Sequence, residues 1–427
     1  MICSGRVIAD LTSANEGCAV PASDISAIPK AGRLVHIGPH KTGSTAIQVA
    51  LHQARGELAE HGAHYVGDRA RPKRAGWALG IAGSPAGTPD PPIEHWHQLV
   101  REVEQAAGRR VCVSNEDFGR ATPEQVQKVV AGLGGEAVHV VAVARRLDHF
   151  LPSQWQERVK AGQVKSYEEW LEVVLAPESN AWDWNNVWRA HDLEALTRRW
   201  TAEVGPESFT LIVSDDTDRG LLPRTFEQLL GLPVGLLALD PDRSNRGLSW
   251  SEVELVRSLN KASRAARWPR EVHADFVKRR VVRTLQSLPR SELGARTPPL
   301  PAWAVDRVRE LSDARVTSLA GLGIRVVGDL ELLRLPATPD AAAVDCPPIS
   351  VEMAARAIES VISEASKSQK ARNRAGRQSV PAPVAPPAPI VPPDPLPSRP
   401  EVQPVSPTTR AVTGARRVGR RLRSRHG

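Results

Sequence analysis

The sequence predicts an α/β protein in which a parallel sheet of about five strands is flanked by helices. Three observations lead to this fold class. Short apolar runs typical of strands alternate along the chain with segments of helical periodicity. Residues 138–144 are continuously apolar, as expected for a strand that is covered on both faces. Residues 34–46 have the pattern of a strand, a tight turn and the start of a helix, the unit from which such sheets are built.

The remaining elements follow in chain order. Apolar residues from Ile47 to Leu58 recur at helical spacing, and Gly62 stands where such a helix would end. Thr122 and Gln125 form a capping-box pattern with Pro123 at the first helical position. Further along we expect strands at 64–67, 110–114, 138–144 and 209–213 and helices at 93–107 and 147–161. Residues 68–92 lack periodicity, which predicts a surface loop.

Composition divides the chain into four parts. Beyond residue 247 the pattern turns helical, and we expect helices near 248–262, 269–288, 302–319 and 351–366. Twelve prolines between residues 381 and 407 precede an Arg-rich end, and such a composition cannot bury a core. The predicted parts are a disordered leader at 1–30, an α/β core at 31–245, a helical C-terminal part at 246–366 packed on the core, and a disordered basic tail at 367–427.

Positive charge is concentrated in the tail. The 427 residues carry a net charge of +8, but residues 367–427 hold thirteen Lys and Arg against two acidic residues. The rest of the chain is therefore slightly acidic, which argues against nucleic-acid binding by the folded part. Two interpretations of the tail stay open: weak electrostatic contact with an anionic membrane or nucleic acid, or a solvated terminus with no dedicated partner.

The cysteines and the hydropathy pattern predict a cytoplasmic protein. The four cysteines, Cys3, Cys18, Cys112 and Cys346, show neither disulfide-framework nor metal-ligand spacing. No apolar run approaches the ~18 residues of a membrane span. Residues 1–30 lack the basic start and continuous apolar core of a secretory signal.

A candidate anion site follows the first strand. The turn carries Lys41, Thr42, Gly43, Ser44 and Thr45, and the helix begins there. A helix N-terminus presents unpaired backbone N–H groups and the positive end of the helix dipole, to which the lysine and the hydroxyls add donors. The order of residues differs from the Walker A motif, which places its lysine directly after the second glycine. A turn with no ligand is the simpler alternative.

This run resembles the 5′-phosphosulfate loop of sulfotransferases, which use 3′-phosphoadenosine 5′-phosphosulfate (PAPS). The resemblance extends to Arg145 and Ser153, because in that family an arginine after the fourth core strand and a serine eight residues later hold the 3′-phosphate. The family often has Asn-Pro after this arginine, whereas this chain has Arg146 and Leu147. Either Arg145 or Arg146 could therefore be the ligand.

Two further residues match the family by position. Sulfotransferases place a catalytic histidine or glutamate at the end of the third strand, where this chain has Glu116, with Asp117 as the neighbouring competitor. A carboxylate that only caps a loop is the non-catalytic alternative. Arg246 falls where the family often has a second contact to the 3′-phosphate. The resemblance covers about residues 31–330 and is loose along its length.

The resemblance implies a PAPS-dependent sulfotransferase with a P-loop sulfotransferase-like fold and no metal. Its acceptor would be a hydroxyl or amine of a carbohydrate, a glycolipid or a small metabolite. The residues around the sheet edge do not indicate which of these is used. Two alternatives stay open. One is an ATP-dependent small-molecule or nucleotide kinase on a related fold, and the other is a catalytically inactive nucleotide-binding or tethering protein whose working part is the tail. The oligomeric state has no signature in the sequence.

Overall fold

The computed structural model describes residues 25–84, 88–106, 108–239, 247–288, 297–337 and 348–378, with side chains up to Lys367. Its centre is a parallel sheet of six strands in the order β2-β3-β1-β4-β5-β6. The strands are β1 (Arg33–His36), β2 (Ala63–Tyr65), β3 (Arg110–Ser114), β4 (Val138–Ala144), β5 (Phe209–Val213) and β6 (Arg325–Val327). The predicted α/β class with a parallel sheet is confirmed.

Helices cover the sheet and form the C-terminal part. The first ten are α1 (Ser44–Gln53), α2 (Arg55–Glu60), α3 (Lys73–Ala78), α4 (Glu94–Gln105), α5 (Pro123–Leu133), α6 (Leu147–Lys160), α7 (Tyr167–Val174), α8 (Trp182–His191), α9 (Leu193–Val204) and α10 (Leu221–Leu230). They are followed by α11 (Trp250–Ala265), α12 (Arg270–His273), α13 (Val282–Ser287), α14 (Ala302–Ala320) and α15 (Val351–Gln378). A short 3-10 helix, Glu116–Arg120, comes directly after β3.

The strand order reverses between β1 and β4. The chain leaves β1 toward β2 and β3 on one side of it, and leaves β4 toward β5 and β6 on the other side. Ligands of open α/β sheets bind outside the carboxyl ends of the strands at such a reversal, because the two connections diverge there and leave a crevice. The fold therefore places its crevice where the turn after β1 and the residue after β4 meet.

Alternation along the strands builds a core on each face of the sheet. One apolar cluster contains Val35, Val140 and Leu211, and the opposite cluster contains their neighbours Leu34, Val141 and Ile212. Successive side chains of a strand point to opposite faces of the sheet. A strand that is covered on both faces must therefore be apolar throughout. A third cluster lies among the helices, where Trp155 and Trp170 are fully buried. The C-terminal helices therefore share this apolar core with α6 and α7.

Several elements differ from the sequence prediction. The sheet has six strands instead of about five, because β6 is only three residues long and too short to show an alternating pattern. The predicted first helix is divided at Ala54 into α1 and α2. The predicted helix at 269–288 contains a π-helical segment, Ala274–Val281. The last helix continues to Gln378, past the predicted start of the tail at residue 367. The capping box of Thr122 and Gln125 is confirmed.

The packed chain includes residues that the sequence analysis assigned to the leader. Ile25 and Ile28 are buried, and the Ile28 N–H donates a hydrogen bond to the Leu229 carbonyl at 2.9 Å. Residues 1–24 and 379–427 lie outside the described residues, so the disordered leader and tail, with the membrane or nucleic-acid contact of the tail, stay predictions. Among the helices that the structure describes, none combines the length and the apolar character needed to cross a membrane.

Candidate functional site

Backbone pairing brings the turn after β1 against the end of β4. The Ile37 N–H donates to the Val141 carbonyl at 3.0 Å, and the Val143 N–H donates to the Gly38 carbonyl at 2.8 Å. On the other side of β1, the Gly119 N–H donates to the Ile37 carbonyl at 3.0 Å. The turn after β1 is therefore held between the last residues of β4 and the 3-10 helix Glu116–Arg120.

Gly38 is required by this close approach. Its φ of 84° lies in the left-handed region, and a Cβ there would come within 2.7 Å of the Glu116 Cβ. A residue with a side chain would push the 3-10 helix away from the turn. The glycine therefore sets how near Glu116 comes to the lysine-bearing turn.

The turn itself ends in an uncapped helix start. Lys41 and Gly43 both have positive φ, 70° and 97°, and Gly43 is the N-cap of α1 without a side-chain cap. The Thr42 hydroxyl donates to the Pro39 carbonyl at 2.8 Å, and the Ser44 hydroxyl donates to the same oxygen at 3.3 Å. Both hydroxyls therefore stabilise the turn, while the backbone N–H groups at the start of α1 face a ligand position.

Lys41 lies in an ion-pair cluster with α6. Its Nζ donates to Glu157 Oε1 at 2.6 Å, and Lys160 Nζ donates to the same oxygen at 2.9 Å. Burial acts to raise the pKa of Glu157, but the two ammonium groups outweigh it and lower the pKa from 4.5 to about 2. Glu157 was not predicted as a site residue, since nothing in its local sequence pattern shows that α6 returns to the turn after β1.

Arg145 is the first residue after β4, and its side chain reaches the lysine turn. Its Nη1 donates to the Lys41 carbonyl at 3.3 Å, and its Nη2 lies 3.7 Å from Asp216 Oδ1. Its Nε is buried, and among the described residues it has no hydrogen-bond partner. Ser153, on the second turn of α6, lines the same cavity. A guanidinium with an unused buried donor beside a helix start suits an oxyanion.

Arg146 points elsewhere. Its Nε donates to Asp148 Oδ1 at 2.7 Å, and its Nη2 lies 2.8 Å from His149 Nε2. It does not line the cavity that contains Lys41 and Arg145. The two candidates that the sequence left open therefore differ in position, and Arg145 is the one beside the turn.

Glu116 and Asp117 also differ in what they face. Glu116 lines the cavity, forms an ion pair with Arg71, and its Oε1 lies 3.6 Å from His40 Nε2. Asp117 does not line the cavity, and its Oδ1 lies 3.0 Å from the same His40 nitrogen. Burial acts to raise the pKa of Asp117, but the hydrogen bond from His40 and the nearby arginines outweigh it and lower the pKa. Asp117 therefore holds His40, and Glu116 faces the ligand space.

These residues surround one cavity of about 770 Å³ at the strand-order reversal. Of the predicted site residues, Lys41, Gly43, Ser44, Thr45, Glu116, Arg145 and Ser153 line it. Thr42 does not, because its buried side chain holds the turn from within. Arg246 lies outside the described residues, although its neighbour Gly247 lines the cavity.

The cavity is strongly electropositive. Its only acidic lining residues among those described are Glu116 and Glu157, and nine cationic side chains oppose them. The nine are Lys41, Arg71, Arg120, Arg145, Arg158, Lys160, Lys278, Arg279 and Arg283. Sequence reasoning assigned a role to only two of these, although the basic run at 278–280 was a visible signal. A cavity with this excess of positive charge selects anionic ligands.

A second cavity of about 790 Å³ adjoins the first. It shares Gly43, Ala46 and Arg145 with it and extends past the end of β5 toward α10. Its walls include Leu221, Leu222 and Leu239, so its character is more apolar. In the part of the chain that the structure describes, no group of three His, Cys, Asp or Glu side chains is arranged to hold a metal ion.

Comparison with known proteins gave structural similarity only, and the similarity is weak. No protein family and no curated protein matches the chain. The structure of a sulfotransferase from Alicyclobacillus acidocaldarius has a TM-score of 0.34 and 13% identity, over 54% of this chain and 92% of that chain. A likeness at this TM-score does not identify an activity, so the functional argument rests on the residues of the cavity.

The Lys41–Glu157–Lys160 cluster makes stability depend on pH. Since the folded pKa of Glu157 is lowered to about 2, its carboxylate stabilises the folded chain above about pH 4.5, and this contribution is lost as pH falls toward 2. We expect the difference in free energy of unfolding between wild type and Glu157→Gln to shrink between about pH 5 and pH 3, measured by urea unfolding.

Glu172→Gln is the matched control, since Glu172 is exposed on α7 and has no hydrogen bond or ion pair with any described residue. The difference in free energy of unfolding between wild type and Glu172→Gln should stay constant between about pH 5 and pH 3. A constant difference for Glu157→Gln as well would contradict the assigned role of the cluster.

Proposed function

We propose that this protein is a PAPS-dependent sulfotransferase that transfers a sulfuryl group to a hydroxyl or amine of a carbohydrate, a glycolipid or a small metabolite. One observation carries the proposal. Lys41 and Arg145, which sequence reasoning assigned to opposite ends of one nucleotide, line the same cavity, and the Arg145 guanidinium donates to the Lys41 carbonyl at 3.3 Å.

The nucleotide end of the site would use the turn after β1 and the start of α6. Lys41 and the backbone N–H groups at Ser44 and Thr45 would bind the 5′-phosphosulfate. Arg145, through its unused Nε, and Ser153 would bind the 3′-phosphate. The adjoining cavity shares Gly43 and Arg145 with the first, and it offers apolar walls to the adenosine between the two phosphates.

The transfer step needs a base and a stabilised leaving group. Glu116 would take the proton of the acceptor O–H while that oxygen forms a bond to sulfur. The bond between sulfur and the 5′-phosphate oxygen breaks at the same time, and Lys41 stabilises the charge that develops on the phosphate. The ion pair with Arg71 orients the Glu116 carboxylate in the cavity. As in phosphoryl transfer, most of the catalysis would come from positioning and electrostatics.

Nucleotide selectivity tests the proposal. We expect 3′-phosphoadenosine 5′-phosphate (PAP) to raise the thermal unfolding temperature more than ATP with Mg²⁺. Arg145→Ala should weaken PAP binding about 10- to 100-fold, since it removes a charged hydrogen bond worth about 1.5–3 kcal/mol. Arg146→Ala is the matched control, and its PAP affinity should stay within about threefold of wild type because Arg146 is directed at Asp148.

Three results would contradict this assignment. A larger rise in unfolding temperature with ATP and Mg²⁺ would indicate a kinase. No rise with either nucleotide would argue against both a sulfotransferase and a kinase. Equal PAP affinity in wild type and Arg145→Ala would remove Arg145 from the nucleotide site. The unfolding temperature of each variant without nucleotide controls for damage to the turn that Arg145 contacts.

A separate variant tests the base. Glu116→Gln keeps the size and shape of the side chain and removes its ability to accept a proton. We expect PAP affinity to stay within about threefold and sulfuryl transfer from labelled PAPS to fall by about 10²- to 10⁴-fold. The acceptor for this assay comes from cell-extract fractions screened with the wild-type protein, and turnover equal to wild type would remove Glu116 from the mechanism.

A further inference from the structure

Arg120 lies in the cavity and has no partner among the described residues. It ends the 3-10 helix that Glu116 begins, and its side chain lines the cavity. Within the described ranges it makes no hydrogen bond and no ion pair. Burial lowers the pKa of its guanidinium, while Asp117 acts in the opposite direction. A largely buried cation with no partner is costly, so the position is best explained by a ligand that supplies the opposite charge.

Two other cations that line the cavity, Arg71 and Arg158, already have partners. Arg71 is paired with Glu116. Arg158 lies 3.4 Å from Asp183 through its Nε, and its guanidinium stacks 4.0 Å above the Trp182 ring. Arg158 also lowers the pKa of Arg120 by repulsion, as does Arg189. The positive charge around Arg120 is therefore only partly compensated, with Asp117 as the one described carboxylate that acts on it.

Arg120 belongs to the acceptor end of the site. Asp117 acts to raise the pKa of Arg120, and Arg158 and Arg189 act to lower it. Glu116 and Arg120 are the first and last residues of one 3-10 helix, so they are separated by roughly 8 Å along its axis at about 2 Å per residue. Because both side chains also line the same cavity, one acceptor molecule can contact both.

We propose that the acceptor carries an anionic group, a carboxylate, sulfate or phosphate ester, and that Arg120 binds it beside the hydroxyl that is sulfated. This inference rests on the proposed sulfuryl transfer and narrows its substrate class. A guanidinium binds all three oxyanions through paired N–H donors. Arg120 would therefore select acceptors by their negative charge and not by one particular anionic group. Lys278 and Arg283 line the same cavity and extend the positive field that attracts such an acceptor.

Matched pairs of small probes test the proposal by isothermal titration of the full-length chain saturated with PAP. The pairs are 4-nitrophenyl β-D-glucuronide with the glucoside, N-acetylglucosamine 6-sulfate with N-acetylglucosamine, and glucose 6-phosphate with glucose. We expect the anionic member of at least one pair to bind about tenfold or more tightly than its neutral partner. The three pairs show which oxyanion is preferred.

In Arg120→Gln, the ratio of the affinities for the anionic and the neutral probe should be close to one. Its PAP affinity should stay within about twofold of wild type. Arg101→Gln is the control, since Arg101 is exposed on α4, has no ion pair with a described residue and does not line the cavity. It should keep the wild-type ratio. If Arg120→Gln does not fold, the wild-type ratio still decides, because a preference due to charge must fall as NaCl rises from about 50 to 500 mM.

Equal binding of both members of every pair by wild type would overturn the inference, and so would a ratio that Arg120→Gln leaves unchanged. A large loss of PAP affinity in Arg120→Gln would overturn it too, by assigning Arg120 to the nucleotide. If wild type does not bind PAP at all, the proposed function fails, and the inference fails with it. The PAP titration thus separates the two failures.

Discussion

The parallel pairing of β1 with β4 is the constraint on which the rest of the site depends. The hydrogen bond from the Val143 N–H to the Gly38 carbonyl, at 2.8 Å, continues this pairing beyond the last residue of β1. This bond fixes the lysine turn beside the end of β4. Arg145 comes two residues after Val143, so its side chain lies next to Lys41. Without this pairing, the two cations would belong to separate loops, and no shared ligand could bridge them.

Electrostatics then determines what the crevice can hold. In the described structure Lys41 is paired with Glu157, so an anionic ligand would compete with a carboxylate that is already in place. That carboxylate keeps two lysines close together, and its lowered pKa reflects how strongly they stabilise its ionised form. Glu116 is likewise held by Arg71. A charged ligand would therefore have to displace Glu157 from Lys41, whereas the Glu116 carboxylate is already oriented by Arg71.

The sequence predicted those parts of the fold and site that depend on strong local patterns. Lys41, Glu116 and Arg145 come within a few residues of the ends of β1, β3 and β4, and the carboxyl ends of parallel strands meet at one edge of a sheet. Glu157, Arg71 and Arg120 were missed because they lie on a helix, a loop and a 3-10 turn whose position depends on tertiary packing. Thr42 was predicted to bind the nucleotide, and this stays a prediction: its hydroxyl donates to the Pro39 carbonyl, and the residue lines the adjoining cavity. The strand β6 has only three residues and lies among helices, so no period could be detected.

The central claim is that Lys41 and Arg145 hold opposite phosphates of one nucleotide. Titration of adenosine 5′-monophosphate and adenosine 3′-monophosphate into wild type, Lys41→Ala and Arg145→Ala tests it most directly. The account predicts a crossed result, in which Lys41→Ala weakens the 5′-monophosphate and spares the 3′-monophosphate, while Arg145→Ala does the reverse, each by about tenfold or more. Equal losses for both nucleotides in both variants, or no loss in either, would contradict it.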